Sequence, residues 1–183
     1  MTGPTHKTWN TIIEPKGWMS NPLMSALIAD LSSGDGLVRQ RARARLVEMG
    51  ESTVGPLTRA LGDTDGQVRW EAAKALGEIG AVAVSSAPAL VNILEDRRRD
   101  VRWLAAEALV ALGRPGLVPL LEAVVHRSAS VWLREGAHHV LHGLVGGELE
   151  EIVSPVLAAL EGAEPALVAP EVARRALEAL GGG

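Results

Sequence analysis

Apolar residues recur along the chain with the period of an α-helix, in segments separated by short polar turns. The clearest segment starts at Val68 and reads VRWEAAKALGEIG. Similar segments start at Val38, Val101 and Leu133, so that the four starts are 30, 33 and 32 residues apart, and a weaker copy reads EVARRALEALG. Shorter apolar segments such as VGPLTRAL and LVPLLEAV lie between the copies. The pattern predicts a repeated pair of helices.

Turn-forming residues mark the ends of the predicted helices. Asp35 and Asp65 stand where N-caps belong, and Gly50, Gly80 and Gly113 stand where helices should end. A helical hairpin of this length cannot bury its own apolar face, so neighbouring pairs must stack. We therefore predict an all-α fold, an α-solenoid of about five stacked pairs after an N-terminal extension of residues 1–20. The predicted pairs span residues 23–49, 52–80, 85–113, 115–145 and 148–181.

The repeats resemble HEAT-like repeats of the phycobilisome-lyase type in their VR dipeptide, paired alanines, ALG and closing aliphatic–Gly. The resemblance covers nearly all of the chain after residue 20. It implies a superhelix in which the VR helices line the concave surface and contact a ligand. Such repeats occur in protein-binding scaffolds, bilin lyase subunits, deoxyhypusine hydroxylases and DNA glycosylases, so they leave the function open. The in-register arginines are expected to pair with acidic residues of adjacent repeats; they are Arg39, Arg69, Arg102 and Arg134.

The positions that vary between copies share one arc of the VR helix and form the predicted binding face. Trp70 and Trp103 occupy equivalent positions and should be neighbours, because stacked helices lie about 8–10 Å apart. Carboxylates around the indoles predict an acidic groove that suits an apolar, cationic ligand. Alternatively, both indoles pack against a neighbouring helix or the N-terminal segment. The candidate binding residues are Trp70, Glu71, Lys74, Trp103, Leu104, Glu107, Trp132, Glu135 and His139.

The fourth copy departs most from the others. Gly136 and Gly143 lie inside a predicted helix, where each costs about 1 kcal/mol relative to alanine. They either open a pocket or allow two backbones to pack closely. His138 and His142 are four residues apart, a spacing that can chelate a metal, but no third ligand is evident. A semi-buried, hydrogen-bonded His138 is the favoured interpretation, and no metal is predicted.

Composition excludes several classes of function. The 183 residues include no cysteine, which rules out disulfides, thiolate metal sites and cysteine nucleophiles, and the net charge of −4 argues against a general nucleic-acid binder. Arg97, Arg98 and Arg99 form a local basic cluster, interpreted as a solvated turn with an anionic partner site as the alternative. We expect no apolar run long enough to cross a bilayer, no signal peptide is recognisable, and a cytoplasmic protein is therefore expected.

No catalytic motif is found, and the chain lacks the His–Glu dipeptides of the di-iron hydroxylases. We therefore predict a binding or scaffold module for a peptide, protein segment or small ligand, with no cofactor, no nucleic acid and no membrane partner. The alternative is an enzyme or enzyme subunit resembling the bilin lyases. Its pocket would lie between the third and fourth repeats, lined by Trp103, Leu104, Trp132, Gly136 and His139. Residues 1–20, with their two tryptophans, are expected to cover the solenoid or a groove, or to join two copies.

Overall fold

In the computed structural model, which describes residues 21–181, helices stack in pairs as an all-α solenoid. The predicted role of residues 1–20 lies outside the described residues. The five pairs are α1 (Pro22–Asp30) with α2 (Gly36–Glu48), α3 (Glu51–Ala60) with α4 (Gly66–Ile79), α5 (Ala87–Ile93) with α6 (Arg99–Leu112), α7 (Arg114–Arg127) with α8 (Val131–Leu144), and α9 (Glu150–Glu161) with α10 (Pro165–Gly181). Short 3₁₀ helices, Gly80–Ser86 and Gly147–Leu149, precede α5 and α9.

The predicted turn residues set the helix boundaries. Asp35 and Asp65 are N-caps whose side chains accept hydrogen bonds from backbone N–H groups two residues on. Gly50, Gly80 and Gly113 have φ of 59°, 69° and 70°, a conformation that favours glycine. Each glycine lies between the end of one helix pair and the start of the next.

The first four pairs build two layers. The second helices α2, α4, α6 and α8 pack on one another in order, and α5 packs on α7 in the other layer. Small and branched side chains such as Ala72, Ala75 and Leu76 are completely buried where the layers meet. Gly77 brings α4 close to α6, because a Cβ there would lie 3.3 Å from Cα of Ala108. The second helices therefore present one continuous face to solvent.

The fifth pair does not continue this order. Helix α9 packs on α8, whereas α10 packs on α7 and α9, and the Ser128 hydroxyl donates a 2.8 Å hydrogen bond to the Ala166 carbonyl. Gly146 and Gly147 both have positive φ after α8, where earlier pairs end on a single such glycine. After the two-glycine turn the chain enters the two layers in the opposite order. Helix α9 joins the layer of the second helices, and α10 joins the layer of the first helices. The fifth pair therefore packs differently from the first four.

The in-register arginines clamp the turn inside their own pair. In each case a guanidinium nitrogen donates to the carbonyl oxygen six residues earlier, just after the first helix. The acceptors are Ser33, Asp63, Asp96 and Ser128. The expected acidic ladder is found for Arg39 with Glu71 and Arg69 with Asp96, and is wrong for the other two arginines, which pair with no acidic residue within residues 21–181.

Arg69 and Asp96 form a buried ion pair that joins the second and third pairs of helices. Their side chains are 8% and 5% exposed. The carboxylate accepts hydrogen bonds from Arg69 Nε at 2.6 Å and from Arg69 Nη2 at 3.1 Å. The backbone N–H of Arg98 donates to the same carboxylate at 2.8 Å. Burial alone would raise the pKa of Asp96, but the hydrogen bonds from Arg69 and Arg98 outweigh it and lower that pKa below its usual value.

The helical run Gly66–Ile93 is long and apolar enough, by length and composition alone, to cross a membrane. This differs from the expectation that no run reaches that length. The run joins α4, a 3₁₀ segment and α5, and its backbone departs from helical geometry at Ala83. Its two α-helices pack on α6 and α7. Length and composition are thus weak evidence for a membrane span here.

Candidate binding groove

Three adjoining depressions cross the outer face of the second helices. Trp70 belongs to the first and the middle depression, and Trp103 to the middle one and to the third, so the three are continuous. The third, between α6 and α8, has a volume of about 530 Å³. We call the whole surface the Trp groove. Its principal lining residues are Arg39, Arg43, Trp70, Glu71, Lys74, Arg98, Arg99, Asp100, Arg102, Trp103, Leu104, Trp132, Glu135, Gly136, His138 and His139.

The indoles of the Trp groove are accessible to different degrees. Trp103 is 56% exposed and Trp132 is 45% exposed, whereas Trp70 is half-buried. Trp70, Trp103 and Leu104 line the middle depression together, as expected from equivalent positions on stacked helices. An exposed indole contributes little to the core of its own protein.

Contacts between α6 and α8 orient the central indole. The ring of Trp103 lies 4.4 Å from that of His139, between centroids, at an angle of 54°. His139 Nε2 is 2.6 Å from Oε1 of Glu107, so a carboxylate on α6 fixes the imidazole that supports the indole. Three of the predicted binding residues therefore form one chain of contacts. The predicted Leu104 lies outside the α6–α8 pocket and lines the neighbouring depression.

Glu71 differs from its expected role. It is only 3% exposed, and its carboxylate accepts from Arg39 Nε at 3.2 Å, from Arg43, and from Gln67 Nε2 at 3.2 Å. Such a carboxylate is already neutralised and hydrogen-bonded. Glu71 therefore organises the wall of the groove, and its direct contact with a cationic ligand stays a prediction.

The charge of the Trp groove is also opposite to the expectation. Six basic side chains line it, against three acidic ones. The sequence favours a solvated turn for the Arg97–Arg99 cluster, with an anionic partner site as the alternative. The turn precedes α6, which begins at Arg99, and it brings Arg98 and Arg99 beside the indoles. Arg98 donates to Asp100 from Nε at 3.1 Å and NH2 at 2.6 Å, and these hydrogen bonds lower the pKa of the Asp100 carboxyl.

The amino-terminal repeats are similar to a known family of helical repeats. A family model described as HEAT repeats matches residues 24–91, from within α1 to within α5. Over these residues the chain is similar to HEAT repeats. Among solved structures, the crystal structure of an engineered protein is similar, with 22% identity over 85% of this chain and 78% of that chain and a TM-score of 0.42. No curated protein matches.

The glycines of α8 serve close packing. A Cβ on Gly136 would lie 2.9 Å from Leu94 Cδ2, and a Cβ on Gly143 would lie 2.8 Å from Val110 Cγ2. Both distances are too short for ordinary contact. The glycines let α8 approach the third repeat closely, which supports the packing alternative, although Gly136 also lines the pocket.

Two histidines of α8, His138 and His139, contact different acidic residues. His138 Nε2 is 2.9 Å from Oε1 of Glu161 on α9, and its ring stacks on His142 with centroids 6.2 Å apart. Across residues 21–181, no group of three or more His, Cys, Asp or Glu residues is placed to hold a metal. The hydrogen bond to Glu161 agrees with the interpretation of His138 as a hydrogen-bonded, partly buried side chain.

Proposed function

We propose that this HEAT-like repeat protein is an interaction module whose Trp groove holds a segment of a partner protein. HEAT repeats generally mediate protein interactions, and stacked helices offer extended binding surfaces. The observation that carries the proposal is the exposure of Trp103 and Trp132 in one continuous depression. Tryptophan is enriched among the residues that dominate binding energy at protein interfaces.

The arrangement of the groove favours a role in binding over one in stability. Trp103 is oriented by His139, while Arg102 lies 4.7 Å from the Trp132 ring. Both indoles keep about half their surface open to solvent. Removing such a side chain should cost the protein little stability but remove apolar area from an interface.

Photo-crosslinking in the native cell tests the proposal. A benzophenone amino acid replaces Trp132 in the groove or, as a control, Val118 on the opposite layer, which is 42% exposed. We expect a protein adduct from position 132 only. The Trp103→Ala substitution should abolish that adduct while leaving the unfolding transition nearly unchanged. Equal adducts from both positions, or insensitivity to Trp103→Ala, would contradict the proposal.

The second candidate is a small-molecule pocket between α6 and α8, as in an enzyme subunit resembling the bilin lyases of the phycobilisome-lyase repeat type. Its support is a volume of about 530 Å³ with Arg99 and Arg102 beside Trp103 and Trp132. Such a pocket suits a planar aromatic molecule that carries a carboxylate. Native mass spectrometry of protein purified from its own cells should then show a bound mass that Trp132→Ala removes. A spectrum of the unliganded chain alone would argue against this candidate.

A further inference from the structure

Positive charge is concentrated at the Trp groove of a chain that is negative overall. Residues 21–145 contain fourteen basic and fourteen acidic residues, whereas residues 146–183 contain two basic and seven acidic ones. Residues 146–183 therefore carry a net charge of −5, residues 21–145 are neutral, and residues 1–20 contribute +1. The groove instead has twice as many basic as acidic lining residues.

Most of the groove's own carboxylates are already engaged. Glu71 is held by two arginines, and Asp100 is held by Arg98. Glu135 lines the α6–α8 pocket with no ion pair to any of residues 21–181. The acidic side chains thus neutralise other arginines of the groove and leave three further cations without an acidic partner among residues 21–181.

Three cations of the groove, Lys74, Arg99 and Arg102, form no ion pair within the part of the chain that the structure describes. Lys74 Nζ lies 5.0 Å from the centroid of the Trp70 ring, and the Arg102 guanidinium lies 4.7 Å from that of Trp132. Arg99 lines both the middle and the α6–α8 depressions. Each of these cations therefore lies beside an apolar surface. Lys74 is on α4 and the other two are on α6, so the cations occupy two successive repeats.

This repetition sets the spacing of a matching ligand. Stacked helices lie about 8–10 Å apart, and an extended chain advances about 3.3 Å per residue, so successive repeats face every third residue. We infer that the Trp groove binds an extended, acidic protein segment with carboxylates about three residues apart and apolar residues between them. This inference rests on the proposed function.

The charge of the Trp groove favours an acidic protein segment over two other ligands. The chain's own residues 1–20 contain two lysines and one acidic residue, so their charge does not complement the groove. A nucleic acid would offer anions but would place continuous phosphates against Glu135 and the neighbouring Glu107. Separate carboxylates flanked by apolar side chains match the alternation of cations and indoles better.

Peptide binding followed by tryptophan emission tests the inference, because tryptophan is the chain's only aromatic fluorophore. The probes are twelve-residue peptides that repeat Glu-Leu-Ala, Gln-Leu-Ala or Lys-Leu-Ala, and a twelve-nucleotide oligothymidylate. The test variant is Lys74→Glu with Arg99→Glu. The control is Arg114→Glu with Arg175→Glu, which changes the net charge equally at exposed sites outside the groove.

The Glu-Leu-Ala peptide should bind most tightly, and the test variant should weaken it about tenfold while the control changes it less than threefold. Preference for the neutral or basic peptide, absence of peptide binding, or equal weakening by both variants would overturn the inference. Tighter binding of the oligothymidylate would overturn it in favour of nucleic acid. The proposed function fails separately, if the groove gives no crosslinked protein adduct in the cell.

Discussion

The buried pair of Arg69 and Asp96 makes a sharp prediction about stability. In Asp96→Asn the arginine stays buried but loses the charge of its partner, while the amide oxygen can still accept from Arg98 N–H. Removing one partner of a buried ion pair costs about 3–5 kcal/mol. We expect the lower end of that range, about 3 kcal/mol, because one hydrogen bond is retained. For a chain of this size, this loss lowers the unfolding temperature by about 6–12 °C.

Circular dichroism during urea unfolding measures the loss. The matched control is Glu171→Gln, since the Glu171 side chain is 54% exposed and its pairs with Arg174 and Arg175 lie at the surface. The control should cost less than about 1 kcal/mol. Equal losses of unfolding free energy in the two variants would refute the argument that burial makes the Arg69–Asp96 pair more stabilising than a surface pair.

Acid provides a second check on the same pair. Folding lowers the pKa of Asp96, so the stabilisation is complete above the ordinary Asp pKa of about 3.9 and is lost as the pH falls through the lower folded value. The stability difference between wild type and Asp96→Asn should be constant from pH 7 to about pH 5 and should shrink near pH 3. A difference that is unchanged at pH 3 would contradict the assigned ion pair.

Three further substitutions test separate features by urea unfolding. Gly143→Ala should cost about 1–3 kcal/mol despite its better helix propensity, and less in a Val110→Ala background, because Val110 is the side chain that the new methyl group meets. Arg134→Met should cost about 1–3 kcal/mol by removing the donor to Ser128, whereas an unchanged midpoint would show that the clamp is unimportant. Gly50→Ala should cost at least about 1 kcal/mol at φ of 59°, and a gain in stability would refute the assigned conformation.

The repeats could be predicted from the sequence because the features that define each helix depend on residues close together in the chain. Aspartate caps and positive-φ glycines act within a few residues, and helical periodicity defines which face is buried. For this reason the boundaries at Asp35, Asp65 and Gly113 agree with the sequence-based expectation. The doubled glycine at Gly146 and Gly147 was a visible departure from the single glycines elsewhere, and it marks the place where the layers exchange.

The candidate groove was harder to predict because its charge depends on partners distant in sequence. Glu71 lies on the predicted face, but Arg39 and Arg43, on the preceding repeat, neutralise it. Arg98 and Arg99 enter the groove because α6 starts next to the Trp70 surface. Counting the charged residues along one helix therefore predicts the wrong sign for the charge of the groove, because ion pairs form between adjacent helices.

The exchange of layers in the fifth pair has a consequence for assembly. A regular stack ends in a surface shaped like the one that receives its next repeat, and such a surface invites copies to join end to end without limit. Here α9 covers α8 and α10 covers α7, so another unit of the regular kind meets an altered contact surface. The fifth pair therefore presents an end surface that differs from the one a regular repeat would offer, and a further repeat of the regular kind would not find its usual contacts there.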